Sequence, residues 1–204
     1  MTGSEPPMWE DRFNTPDYVF GTEPALFLQE HADHLTPGAS ALAVADGEGR
    51  NSVFMAQRGM RVTALEFAPS AISKARTLAA EKGVEVTFRE VDVLSHDWAD
   101  QFELVVGIFI QFVGPADRRR LFEGMARSVA PGCLILLHGY TPKQIDYGTG
   151  GPPFAENMYT EEILRDHFPD WSVLECRAYE REISEGRGHN GRSALIDFVA
   201  RKPA

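Results

Sequence analysis

Residues 40–66 fit an apolar run, a turn broken by two glycines, a short helical stretch and a second apolar run into one compact span. The first run, SALAVAD (40–46), stands between Pro37-Gly38 and the glycines Gly47 and Gly49, and reads as a strand buried on both faces. Val53, Phe54, Met55 and Ala56 follow at helical spacing until Gly59, and RVTALE (61–66) reads as a second strand. Strand, helix and strand at this spacing form a βαβ unit. The pattern then repeats. PSAISKARTLAAEKG (69–83) is a helix that opens on Pro69 and closes on Gly83, and VEVTFREVD (84–92) is a third strand. FELVVGIF (102–109) is a fourth strand, ADRRRLFEGMARSVA (116–130) a helix closed by Pro131-Gly132, and CLILLHGY (133–140) a fifth strand. This alternation predicts an α/β fold, a single-domain Rossmann-like doubly wound sheet with helices on both faces.

The end of the chain departs from the alternation. SVLECRAYEREIS (172–184) and SALIDFVARK (193–202) are joined only by EGRGHNGR, which predicts an antiparallel hairpin and seven strands in all. Residues 141–159, rich in glycine and lacking periodicity, read as a substrate loop rather than a connector. The 204 residues suit one domain: an N-terminal lid or helical segment (1–35), a cofactor-binding core (36–140), the loop (141–159), and a C-terminal helix and hairpin (160–204).

Composition narrows the partners. A net charge of -10 repels phosphate backbones and argues against nucleic acid. No run approaches the roughly 18 apolar residues of a membrane span, and MTGSEPPMWEDRF has acids and prolines where a leader would carry basic and apolar residues, so a cytoplasmic location is expected. Cys133 and Cys176 each sit in an apolar segment, which predicts free thiols rather than a disulfide or metal site. No feature specifies an oligomer.

In an open parallel sheet, ligands lie beyond the carboxyl ends of the strands, which makes the glycine turn a binding element. Its string, Ala45-Asp46-Gly47-Glu48-Gly49-Arg50-Asn51, is not the dinucleotide fingerprint, and Glu48 would set an anion where a pyrophosphate lies. Glu66 ends the second strand, where a carboxylate can accept both hydroxyls of a ribose, and Asp92 ends the third, where an acid can accept from an adenine amine. The expected ligand is a nucleoside without a pyrophosphate.

AVADGEGRN, VTALEFAPSAISKA and REVDV together resemble the first three motifs of class I S-adenosylmethionine-dependent methyltransferases, over nearly the whole chain. WEDRF, YVFGTEPALFL and GEGRN resemble the branch of small-molecule methyltransferases that includes the tellurite-resistance and thiopurine enzymes. The resemblance implies S-adenosyl-L-methionine as cofactor, a small-molecule methyl acceptor, and a seventh strand inserted antiparallel between the fifth and sixth. It also implies that Ala45, Asp46, Gly47 and Gly49 line the methionine part, Glu66 the ribose, and Asp92 with Val93 the adenine, flanked by Phe67 and Phe109. Ala45 stands where the family's first motif has its first glycine.

Methyl transfer from a sulfonium needs alignment and exclusion of water more than it needs a base, so the acceptor is less legible than the cofactor. A soft nucleophile or anion needs no base at all. IFIQFVGP, at the end of the fourth strand, lacks the [DN]-P-P-[YFW] tetrad of amino-group methylases, which argues against DNA as acceptor. Three segments reach the carboxyl edge. The N-terminal one offers Trp9, Phe13, Tyr18, Phe20 and Phe27 as a lid, with Arg12 toward the cofactor carboxylate and Tyr18 toward substrate. His138, Tyr140, Tyr147, Asn157 and Tyr159 come from the fifth-strand end and its loop, Tyr147 as a catalytic candidate. The hairpin tip brings His189 as a base or anion-binding group, with Arg181, Arg187 and Arg192 nearby in sequence. Rival readings are a non-catalytic cofactor-binding module, a protein methyltransferase whose acidic surface attracts a basic tail, and a nicotinamide-dependent oxidoreductase, which the glycine spacing and hairpin oppose.

Overall fold

The computed structural model describes residues 6–186 and 188–204, with side chains from Met8 onward; Arg187 lies outside the described residues. Helix α1 (Pro6–Phe13) and the short α2 (Leu26–Glu30) precede β1 (Ser40–Val44). Then follow α3 (Arg50–Gln57), β2 (Arg61–Glu66), α4 (Pro69–Glu81), β3 (Val86–Glu90), β4 (Phe102–Ile108), α5 (Pro115–Ser128) and β5 (Val129–Tyr140). The chain ends with α6 (Glu161–His167), β6 (Ser172–Ser184) and β7 (Asn190–Arg201). One seven-stranded sheet has the order β3-β2-β1-β4-β5-β7-β6. Strands β1 to β5 are parallel, and β7 runs antiparallel between β5 and β6, as the resemblance implied.

Strand alternation sorts the core into two layers. Leu42 and Val44 of β1 pack on one face with Leu121, Phe122 and Met125 of α5 and Leu164 of α6. Ala41 and Ala43 turn to the other face, against Phe27 and Leu28 of α2 and Met55 of α3. Helix α3 therefore starts where β1 delivers the chain to the carboxyl edge, which is the edge that carries the site.

Three boundaries differ from expectation. Strand β5 begins at Val129, which pairs with Phe102 before the register shifts, so Pro131-Gly132 lies in an irregular stretch of the strand and not in a free turn. Gly132 meets it with a φ of 75°. Strand β3 stops at Glu90, so Val91, Asp92 and Val93 leave the sheet and become wall. Strand β7 starts at Asn190, paired with Ser184, which shortens the hairpin tip. Both cysteines are free. No described helix is long and apolar enough to cross a membrane.

Candidate cofactor and acceptor site

The carboxyl ends of β1, β2, β4 and β5 open into a cavity of about 710 Å³. Helix α1, Phe20, residues 150–154 and the hairpin tip at Gly188-His189 close over it. Among the described residues, only Ala45 and Phe109 are non-glycine residues with positive φ, at 49° and 57°. Both line the cavity, one at the end of β1 and the other at the end of β4. The left-handed region costs an L-residue roughly 1–2 kcal/mol, and such strain concentrates where backbone must pass close to a ligand. The hydrogen bond from Phe109 N to the carbonyl of His138, at 2.8 Å, holds the second of these turns.

One wall carries every acid that lines the cavity: Asp46, Glu66 and Asp92. Glu66 organises the turn after β1, since its Oε2 accepts from the Gly47 amide at 2.8 Å and its Oε1 from the amides of Phe67 and Ala68 at 2.8 and 2.9 Å. Burial raises its pKa against the opposing pull of these three donors. Asp46 accepts from the amide and hydroxyl of Ser52, and burial pushes its pKa up to about 6. Asp92 accepts from the Leu94 amide at 2.9 Å, which turns the chain after β3. Ala45, Gly47, Phe67, Val93 and Arg12 complete this wall. Arg12 lies 5.0 and 5.1 Å from the ring centres of Trp9 and Phe20, and burial lowers its pKa. Gly49 is a correction: it does not line the cavity. It is the residue before α3, at φ 90°, and a Cβ there would stand 2.6 Å from the Cβ of Ala75, so it is a glycine because α3 and α4 cross at that point.

The opposite wall is aromatic. His189 stacks between Phe20 and Phe109, at centroid distances of 4.6 and 4.1 Å, and its Nδ1 shares a hydrogen bond of 2.5 Å with the Tyr140 hydroxyl. Burial, then Arg50 and Arg12, hold its pKa well below the ordinary value for an imidazole. The imidazole is thus neutral and weakly basic, which corrects the expectation of a base titrating near neutral pH or of an imidazolium that binds anions. Asn157 is buried and lines the cavity.

Four other expected residues lie elsewhere. Tyr18 donates to the Lys74 carbonyl at 3.0 Å and packs near Val53 and Leu78, away from the cavity. His138 points into the core behind Phe109, bonded through Nδ1 to Asp197 at 2.7 Å and stacked on Phe27. Tyr147 donates to Glu180, and Arg181 pairs with Glu30 at 3.0 Å, both outside the cavity lining. Position along β5, not parity, explains one of these errors: His138 and Tyr140 share a face of the strand, but only Tyr140 reaches the edge.

Sequence reasoning missed Gln111 and the roles of Glu48 and Arg50. Gln111 lines the cavity while clamping the Tyr140 peptide, donating to its carbonyl at 2.8 Å and accepting from its amide at 2.7 Å. Glu48 is buried facing away from the cavity and accepts from the Val19 amide at 2.8 Å, with Lys74 paired to it at 2.7 Å. Arg50 pairs with Glu185 of the hairpin tip at 2.8 Å. The two charges of GEGR thus fasten the N-terminal segment and the tip to the glycine turn, a long-range pairing that no local signal announces.

Residues 41–132 match a family model described as a methyltransferase domain. The chain is 24% identical over 171 residues, 82% of its length, to the 2-heptyl-1-hydroxyquinolin-4(1H)-one methyltransferase of Mycobacteroides abscessus, and covers 71% of that protein. It covers only 52% and 47% of two further curated relatives. In fold it is similar to TehB from Haemophilus influenzae, with a TM-score of 0.72, 16% identity, and coverage of 96% of this chain and 66% of that one. It is likewise similar to the N-methyltransferase NodS from Bradyrhizobium japonicum in complex with S-adenosyl-L-homocysteine, with a TM-score of 0.71, 15% identity, and coverage of 96% and 97%. Residues 41–132 thus match the sequence of a methyltransferase domain, and the fold of the chain is similar to that of TehB and of the methyltransferase NodS.

Proposed function

We propose that this protein methylates a small-molecule acceptor whose nucleophile is soft or already anionic, with S-adenosyl-L-methionine as the donor. One observation carries the reading of the acceptor: all the acids lining the cavity stand on the wall of β1, β2 and β3, and the opposite wall offers as a proton acceptor only an imidazole held neutral and weakly basic. A nucleophile that needs strong deprotonation would find no partner there.

The residues fit the cofactor. A cavity of about 710 Å³ falls in the range of roughly 300–1,000 Å³ usual for ligand pockets. Glu66 supplies carboxylate lone pairs for a ribose diol, Asp46 a carboxylate for the ammonium of the methionine part, and Asp92 an acceptor for an adenine amine. Arg12, stacked on Trp9 and Phe20 and under the longer-range pull of Glu48, supplies a cation for the methionine carboxylate. When bound, the cofactor supplies an activated methyl group on a sulfonium. Phe20, Phe109 and Tyr140 exclude water from the transfer, and His189 presents its Nε2 edge to the acceptor while Tyr140 holds Nδ1. The covering by α1, residues 150–154 and the hairpin tip supports a small acceptor over a protein tail. The quinolone methyltransferase among the relatives, named for a small-molecule substrate, supports the same choice.

Calorimetric titration with S-adenosyl-L-homocysteine, with NADH and NADPH as controls, tests this reading. Micromolar binding of the homocysteine compound alone is the expected result, and nicotinamide binding or no binding refutes it.

A further inference from the structure

We infer that Asn157 is a specificity-determining contact to the acceptor, selecting a molecule with a neutral hydrogen-bonding group beside its nucleophile, and that Arg118 is the residue that positions it. The inference rests on the methyl-transfer reading and refines its acceptor.

Asn157 is 4% exposed, yet its side chain has no hydrogen-bond partner among the described residues. Its amide atoms are not among the fully buried unpartnered polar atoms, so they open to the cavity, where such groups in native proteins ordinarily meet water or a ligand. This one lines the cavity, on the wall that has no acid. It carries a donor and an acceptor side by side, which match a lactam, a thiolactam or an equivalent face on a ligand and match a bare oxyanion poorly.

Its setting is built for one orientation. Arg118 is 6% exposed and has no carboxylate partner among the described residues, and its guanidinium donates to the Glu156 carbonyl at 2.6 Å and reaches the Met158 carbonyl at 3.5 Å. Those carbonyls flank Asn157 on both sides. The amide of Asn157 donates to the Phe154 carbonyl and that of Tyr159 to the Tyr140 carbonyl, which pins the turn to the end of β5. Burial lowers the Arg118 pKa, and its Nε and the neighbouring Tyr159 hydroxyl have no hydrogen-bond partners among the described residues. Burying an arginine at that cost is hard to explain by packing, since an apolar side chain would fill the space without a desolvation penalty. It is explained if the arginine fixes the Ala155–Asn157 turn against α5.

The test uses a matched pair of soft nucleophiles, 2-mercaptopyridine, which carries a ring N–H next to sulfur, and thiophenol, which lacks it. Both are titrated into the full chain saturated with S-adenosyl-L-homocysteine. The native protein should bind 2-mercaptopyridine about fivefold more tightly than thiophenol, the worth of one hydrogen bond. Asn157→Ala should abolish the preference and leave affinity for the homocysteine compound unchanged. Arg118→Met should abolish it as well, and Arg118→Lys should restore part of it, which a purely structural role would not produce. If Arg118→Met fails to fold, Asn157→Ala still decides. Equal affinity for the two probes, no binding of either, or a preference that survives Asn157→Ala overturns the inference while methyl transfer stands. Failure to bind S-adenosyl-L-homocysteine strikes the methyl-transfer reading itself.

Discussion

The two walls of the cavity are built by different means. The wall of β1, β2 and β3 comes from strand ends that follow one another in the chain, each contributing an acid within a residue or two of its strand. The aromatic wall is assembled from Phe20, the end of β4, Tyr140, residues 150–157 and the hairpin tip, pieces that meet only when the sheet is complete. The first wall is held by backbone conformation and buried acids, the second by stacked rings and a neutral imidazole. The difference is one of reach: a cofactor common to many proteins can be bound by local turns, whereas an acceptor is recognised by whatever the tertiary fold brings across.

The strongest way to break the first wall is to deny it its backbone. Gly49→Ala would force an L-residue into φ 90° and drive a methyl group to within 2.6 Å of the Ala75 Cβ. Strain and overpacking together should cost about 3 kcal/mol of unfolding free energy, readable by denaturant titration. A loss below about 1 kcal/mol would mean that α3 and α4 separate freely. Next comes Glu66→Ala, which leaves the amides of Gly47, Phe67 and Ala68 without their acceptor. It should cost about 2 kcal/mol in stability and weaken S-adenosyl-L-homocysteine binding more than tenfold. Native affinity in that variant would detach Glu66 from the ribose.

How far the sequence could be read follows the same division. Strand order and the antiparallel β7 were legible because strand–helix alternation and a short hairpin connection are local signals. Asp46, Glu66 and Asp92 were legible because each stands at a fixed offset from an apolar run. Gly49 was misassigned: a glycine needed for close helix packing and one needed for ligand approach look alike in sequence. Tyr18, His138, Tyr147 and Arg181 were misassigned because proximity to the carboxyl edge does not say which way a side chain turns. Arg118 gave no signal whatever, being a basic residue in the run Arg118-Arg119-Arg120 that reads as a solvated helix face. Its burial is decided by a turn nearly forty residues away.

Acid sharpens the contrast between the walls. Burial raises the pKa of Asp46 from 3.8 to about 6, so the folded protein takes up a proton there before the unfolded chain does. The stability that Asp46 contributes is therefore full below about pH 4 and is lost as pH rises through about 6. Cofactor affinity should move the other way, because the ligand ammonium needs the carboxylate. Binding of S-adenosyl-L-homocysteine should weaken by about tenfold per pH unit below 6, and Asp46→Asn should flatten the profile. A native profile unchanged between about pH 7 and pH 5 would remove the ammonium from Asp46. On the other wall, Tyr140→Phe deletes the hydroxyl at His189 Nδ1. It should lower methylation of 2-mercaptopyridine about fivefold and leave the affinity for the homocysteine compound intact, as one lost hydrogen bond on the acceptor side requires. A change in cofactor affinity instead would merge the two walls into one.

The smallest effect concerns Ala45, which has the left-handed conformation, φ 49°, where the related first motif has glycine. Glycine would remove a strain of roughly 1–2 kcal/mol, but it would also widen the unfolded ensemble, at a cost of roughly 0.5–1 kcal/mol. The methyl group of Ala45 packs at the margin of the larger core cluster, which takes away a little more. Ala45→Gly should therefore stabilise the protein by about 0.5 kcal/mol and leave cofactor affinity unchanged. A destabilisation instead would show that the Ala45 methyl contact outweighs the strain, and that the first wall, like the second, depends on packing across the fold.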